Sequence, residues 1–260
     1  MRVRPRLFAP LALALLTGWT PLLPQAPRKY RLDMKTAQVV NLAALGQGEQ
    51  RTEFTSTAFV TVTLADTAGG RSIHLVLDSM LTDSTSPIPQ EAVRAAAGSA
   101  WHGLVGRNGR ISEFKAVGTR GVGEQFAGVF RQFLPPIPSG KKPGDRWTDT
   151  TDITDDLGTG SLATRTVTNF QAGSETFNGT RALKVAAASS SSFNGTQMVQ
   201  GQDAAIEGTG TATATWFVAP DGAYLGGTLA SKQALTLAGA FAPEPIPIDV
   251  TIETTTTLLP

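Results

Sequence analysis

No cysteine occurs among the 260 residues, and that absence excludes disulfide scaffolds, thiolate zinc sites, iron–sulfur clusters and cysteine nucleophiles together. Histidine is nearly as scarce, with His74 and His102 the only 2. A closed zinc shell would have to recruit both, plus carboxylates. An excess of one charge is missing too: 22 basic residues face 21 acidic ones, a formal net of +1. Lys141-Lys142 is too small a patch to follow a phosphate backbone, so no nucleic-acid partner is expected. What the chain does have is 34 threonines and 27 glycines, which favour strands and turns over helices.

The one long apolar run stands at the start. Arg2, Arg4 and Arg6 precede Leu7–Leu16, interrupted only by Pro10, and Thr17-Gly18 follow. That is the layout of a secretory signal peptide. The alternative is a membrane anchor from Leu7 to Leu23, which is short against the roughly 20 apolar residues a span needs and is broken by Pro10 and Pro21. The sequence predicts a signal peptide over residues 1–26 and an exported protein, periplasmic or extracellular. The cleavage point stays open, because Ala26 suits it and Pro27 does not. Leu16-Thr17-Gly18-Trp19 resembles a bacterial lipobox with Trp19 in the place of the lipid-bearing cysteine, so no lipid anchor is expected. Removing the segment takes away Arg2, Arg4 and Arg6 and no acid, which turns the net charge negative.

Beyond Arg28 the dominant period is two. Phe54, Ser56, Ala58, Val60, Val62 and Leu64 share one face of a run, with threonines on the other. Ile73, Leu75, Leu77 and Leu81 alternate with polar residues, as do Ile248, Val250 and Ile252. Such runs make half-buried antiparallel strands. Asn108-Gly109, Asn178-Gly179, Asn194-Gly195 and Asp221-Gly222 read as hairpin turns. Two stretches break the pattern: a short helix is predicted near 87–97 and a second over 122–134, where Phe126, Val129, Phe130 and Phe133 fall at helical spacing. The predicted class is all-β, mainly antiparallel, as a curved sheet or half-barrel with two short helices. A first β-rich half over 27–134 is joined to a second over 146–260 by a Pro/Gly linker at 135–145. The halves look related. Gly70–Val76 matches Thr180–Ala186 in pattern, and Leu104–Ile111 matches Phe217–Tyr224 at nearly the same offset, as an internal two-fold repeat would give.

Phe133-Leu134-Pro135-Pro136-Ile137-Pro138, leading into Lys142-Pro143-Gly144-Asp145-Arg146-Trp147, resembles the linker of an uncharacterised family of bacterial exported β-rich proteins, often lipoproteins. The resemblance implies two sheet-rich halves and carries no chemistry with it. A broader architectural likeness, without a residue motif, is to half-barrel lipoprotein carriers, in which a curved sheet and helices enclose an acyl-chain cavity. Analogy of architecture does not establish function.

Catalytic patterns are sparse. There is no Gly-x-Ser-x-Gly elbow and no Ser-x-x-Lys at the start of a helix. His74 and Asp78 share a strand face but stand about 13 Å apart at ~3.3 Å per residue, too far to hydrogen-bond. Asp149, Asp152, Asp155 and Asp156 lack the order of a calcium loop and read as a solvated turn after Trp147. No metal site, cofactor or enzymatic activity is expected. One strand face is odd: Ile206, Gly208, Gly210, Ala212, Ala214, Trp216 and Val218 leave it mostly bare backbone and methyl groups. Either the Phe126/Phe130 helix packs there or an apolar guest does, which makes Phe126, Phe130, Ala212, Ala214 and Trp216 the candidate ligand-binding residues. The sequence thus predicts an exported, non-catalytic cell-envelope β protein that binds a lipid or other apolar ligand, or an envelope protein partner. The alternatives are a purely structural β domain and a hydrolase with an unrecognised site.

Overall fold

Alternation of apolar residues with threonine and serine builds a series of strands in the computed structural model, which describes residues 26–67, 70–156, 160–199 and 201–260. The export segment and its lipobox-like stretch fall on residues 1–25, outside the described residues. In chain order the strands are β1 (Arg28–Asn41), β2 (Glu49–Thr67), β3 (Gly70–Thr82), β4 (Ala100–Val105), β5 (Ile111–Gly118), β6 (Arg146–Asp156), β7 (Gly160–Phe177), β8 (Thr180–Val199), β9 (Gln202–Val218), β10 (Tyr224–Gly239) and β11 (Ile246–Leu258). Among the described residues the strands are joined by two short α-helices, α1 (Gln90–Ala95) and α2 (Ala127–Arg131), and by 3-10 turns at Ala43–Leu45 and Gly123–Phe126. The protein is all-β: one open, curved antiparallel sheet of 11 strands in the order β5-β4-β3-β2-β1-β11-β10-β9-β8-β7-β6. Because β1 pairs with β11, the first and last strands lock the two ends of the chain together at the middle of the sheet.

The edges are therefore β5 and β6, and residues 119–145 run between them. Arg110, just before β5, holds Asp149 of β6 through two hydrogen bonds of 2.9 and 2.6 Å, so the sheet curls until its edges meet at one end. Arg131 of α2 reaches Asp155 of β6 at 3.3 Å. Exposed strand edges invite pairing with other chains, and α2 packs against part of β5, although most of that strand stays exposed.

Several expectations change. The 122–134 stretch is a 3-10 turn, Gly123–Phe126, followed by the 5-residue α2. A side chain at Gly123 would strike Ser99, whose Oγ accepts the Arg120 N–H at 2.9 Å, so docking onto that serine sets the local backbone. In β3, Met80 is buried and Leu81 is 48% exposed, the reverse of the alternation read from the sequence. A register shift against Phe59 and Val60 inserts one residue, and a single insertion flips every later side chain. Asn194-Gly195 is no turn. It lies inside β8, where Gly195 lets the Ser161 backbone of β7 approach so closely that a Cβ would strike the Ser161 carbonyl oxygen. The acidic stretch after Trp147 is β6 itself, paired with β7 from Arg146 to Asp156.

Two apolar clusters fill the concave side. The larger gathers Leu32, Val60, Leu75, Trp101, Phe130 and their neighbours, and the smaller is built on Phe170, Val185 and Ala214. Trp216 packs against both.

Two turns that fall on the matching patterns Leu104–Ile111 and Phe217–Tyr224 have like hydrogen bonds. In the β4–β5 turn, Gly106 N–H donates to Arg110 O and Gly109 N–H to Gly106 O, each at 2.9 Å. In the β9–β10 turn, Ala219 N–H donates to Ala223 O at 2.8 Å and Gly222 N–H to Ala219 O at 2.9 Å. Asn108 and Asp221 accept the N–H two residues on in the same way. Both turns lie at the same end of the sheet.

Candidate functional site

At that end the starts of β1, β3, β8 and β10, both turns and the linker surround a cavity of about 860 Å³. The linker forms one wall because its prolines keep it out of the sheet while three backbone hydrogen bonds tie it down. Ser139 N–H donates to Arg107 O at 2.9 Å, Gly144 N–H to Ala172 O at 2.9 Å, and Ala172 N–H to Asp145 O at 2.9 Å. Tyr30, Val62, Leu64, Leu134, Leu183 and Tyr224 supply the apolar lining. Tyr30 and Tyr224 join Phe133 in an aromatic trio, with ring centroids 5.0 to 5.9 Å apart, that belongs to the larger core cluster.

The rim carries Arg28, Arg71, Arg107, Lys141, Lys142 and Arg181 against one acid, Asp221. Arg28 pairs with Asp221 at 3.4 Å, and Lys141 Nζ sits 4.7 Å from the centre of the Trp147 ring. The Ala223 N–H, followed by the Arg28 charge, holds the Asp221 carboxyl below its usual range. The opposite end of the sheet collects Glu49, Asp203, Glu207, Glu244 and Asp249 at strand ends and turns. Long-range attraction of anions is thereby directed to the cavity end.

Tyr30 Oη donates to the Tyr224 carbonyl at 3.0 Å, and burial pushes its phenol up to about 12. Burial raises the Tyr224 phenol as well. A phenol whose folded value lies above its unfolded value near 10 adds stability that is fully present below that pH. It is lost as the pH rises towards the folded value. The urea midpoint is expected to fall between pH 10 and about 12, and to fall less in Tyr30→Phe than in the parent. An equal fall in both would show that Tyr30 is not the source.

The candidate ligand residues lie elsewhere. Phe126 and Phe130 belong to the larger cluster, with the Phe130 ring 4.9 Å from Trp101, and so cover β4 rather than β9. Ala214 belongs to the smaller cluster, Ala212 lies half-buried farther along β9, and only Trp216 touches both clusters. None of these side chains lines the 860 Å³ cavity. On the bare face of β9 the bulky neighbour is Phe193 of β8, whose Cε2 lies 3.1 Å from the Cβ position of Gly210.

His74 and His102 are exposed and directly opposite one another on β3 and β4, with Lys115 beyond His102. Asp78 accepts the Thr61 hydroxyl at 2.7 Å. The β6 acids are separately engaged, Asp149 by Arg110, Asp152 by Arg165 and Asp155 by Arg131. Among the described residues no three His, Asp or Glu side chains gather as a metal site, and the cavity lining offers only Ser139 and Ser174 as aliphatic hydroxyls, with no histidine beside them.

The cavity's signal in the sequence is thin but present. Arg71 and Arg181 are the second residues of β3 and β8, equivalent positions in the two matching segments, and Lys141-Lys142 ends the proline-rich run.

No protein-family model and no curated protein matches the chain. Among solved structures it is similar to a BenF-like porin from Pseudomonas fluorescens, at 8% identity over 90% of this chain and 99% of that one, with a TM-score of 0.28. It is also similar to the outer-membrane expressed OmpT of Vibrio cholerae, at 7% identity over 88% and 97%, with a TM-score of 0.22. Likeness at these scores carries no argument, and the functional reading rests on the cavity.

Proposed function

We propose that the protein is an exported, non-catalytic binding protein of the bacterial cell envelope that houses an apolar ligand between the strand ends and the Pro/Gly linker. The observation that carries this reading is the cavity itself. Its volume of about 860 Å³ lies in the range of small-molecule pockets, and tyrosine, valine and leucine side chains line its wall. The space is partly open to solvent and bounded by an anchored linker, which gives a ligand both a way in and an apolar wall to lie against. The arginine-led n-region supports export, and Trp19 in the lipobox position supports an unlipidated product.

One measurement addresses both parts. Native mass spectrometry of protein recovered from the periplasm or medium without detergent is expected to give a chain shortened near residue 26, carrying an added mass that organic extraction removes. Full-length mass would overturn the signal-peptide reading. A clean apo mass, together with no uptake of the neutral fluorophore N-phenyl-1-naphthylamine, would replace the binding reading with a purely structural β domain.

A further inference from the structure

We infer that the ligand is a single-chain amphiphile with an anionic head, its chain against Tyr30, Val62, Leu64 and Leu183 and its head between Arg71 and Arg181; this rests on the cavity being a binding site. Arg71 is half-buried and makes no salt bridge among the described residues, although Asp66 stands directly opposite it on β2. Removing a cation from water without a counter-ion is unfavourable, and an incoming anion reverses that penalty. Its Nη1 lies 3.9 Å from the Cβ position of Gly222, which places the guanidinium at the cavity's rim turn. Arg181 starts β8 as Arg71 starts β3, and it too makes no salt bridge among the described residues.

Arginine is the better donor for this task than lysine, because its planar fork meets a carboxylate or phosphate with two parallel hydrogen bonds. The one acid on the rim, Asp221, is already paired with Arg28, so it does not compete for these two guanidiniums. Of the lining, Tyr30 and Val62 are buried, Arg71 is half-buried and Arg181 is exposed, so the deeper contacts are apolar and the solvent-facing one is charged. A cation-headed amphiphile would meet several like charges there, and a neutral one would leave Arg71 without a counter-ion.

The test is displacement of N-phenyl-1-naphthylamine from the purified protein by laurate, dodecanol and dodecyltrimethylammonium, with inorganic phosphate as the chainless anion. Laurate is expected to displace the probe on the order of tenfold more tightly than dodecanol, with the margin shrinking as salt is added. Arg71→Gln and Arg181→Gln are each expected to weaken laurate more than dodecanol and so to narrow the margin between them. Arg181 is exposed, so its variant keeps the comparison open if Arg71→Gln folds poorly. Equal displacement by laurate and dodecanol overturns the anionic head and leaves the apolar cavity standing. Displacement by phosphate as effective as by laurate overturns the amphiphile in favour of a simple anion site. If no chain-bearing compound displaces the probe, or the probe itself does not bind, the cavity reading falls and this inference falls with it.

Discussion

Trp101→Ala is expected to destabilise the protein by about 3–5 kcal/mol, a large share of the ~5–15 kcal/mol that holds a domain folded. Trp101 is fully buried on β4, with its ring centroid 4.9 Å from that of Phe130 and 6.4 Å from that of Phe114 in a stacked pair. Its ring is one of the contacts that hold α2 against the sheet, beside those α2 makes with β5. Truncation removes the largest apolar surface in the main cluster and leaves a hole that rigid strands on either side cannot close. Trp101→Phe should cost much less, about 1–2 kcal/mol. It keeps most of the volume and removes an indole N–H that has no hydrogen-bond partner in the structure. Urea denaturation reads both, as a shift of midpoint at constant slope. A Trp101→Ala loss below about 1 kcal/mol would show that the α2–β4 packing contributes little to the fold.

Gly109→Val is the second large effect, and Gly222→Val is its internal control. The two glycines hold the same place in two turns with the same hydrogen-bond pattern, at φ +78° and +83°. Each substitution incurs the left-handed penalty of a β-branched residue, about 1–2 kcal/mol. Only at Gly109 would the new Cβ also strike the linker, at the backbone of Ile137, whereas at Gly222 its nearest neighbour is Arg71 Nη1 at 3.9 Å. Overpacking of this kind adds about 1–3 kcal/mol. Gly109→Val is therefore expected to lose more stability than Gly222→Val and to speed tryptic cleavage after Lys141, because the linker must lift away; the Lys142-Pro143 bond resists trypsin. Equal losses and equal cleavage rates would mean the linker is not seated on the turn.

Much of the fold is legible in the sequence, and the failures have specific causes. The strands around Ala58, Leu75 and Ile252 are read from period-two patterning because a half-buried sheet imposes that period directly. The β3 bulge is not legible, since the inserted residue is set by pairing with β2, a strand whose register the β3 sequence does not contain. Asn194-Gly195 misleads because glycine serves close strand approach as well as turns, and the two uses look alike in sequence. For the bare face of β9 the sequence leaves two occupants open, the Phe126/Phe130 helix or an apolar guest against Phe126, Phe130, Ala212, Ala214 and Trp216. The structure lays Phe193 beside Gly210 and gives the aromatic pair to Trp101.

By itself the sequence determined the all-β class and the Pro/Gly stretch between β-rich segments, because composition and local periodicity act on each segment without reference to the rest. Only the tertiary structure decided that one sheet, not two, holds every strand, through the pairing of β1 with β11. It also decided that Arg71, Arg181 and the linker share one rim, and that an apolar wall adjoins them. Arg71 and Arg181 are 110 positions apart, and proximity at such separations comes from strand pairing and sheet curvature, which no local pattern encodes.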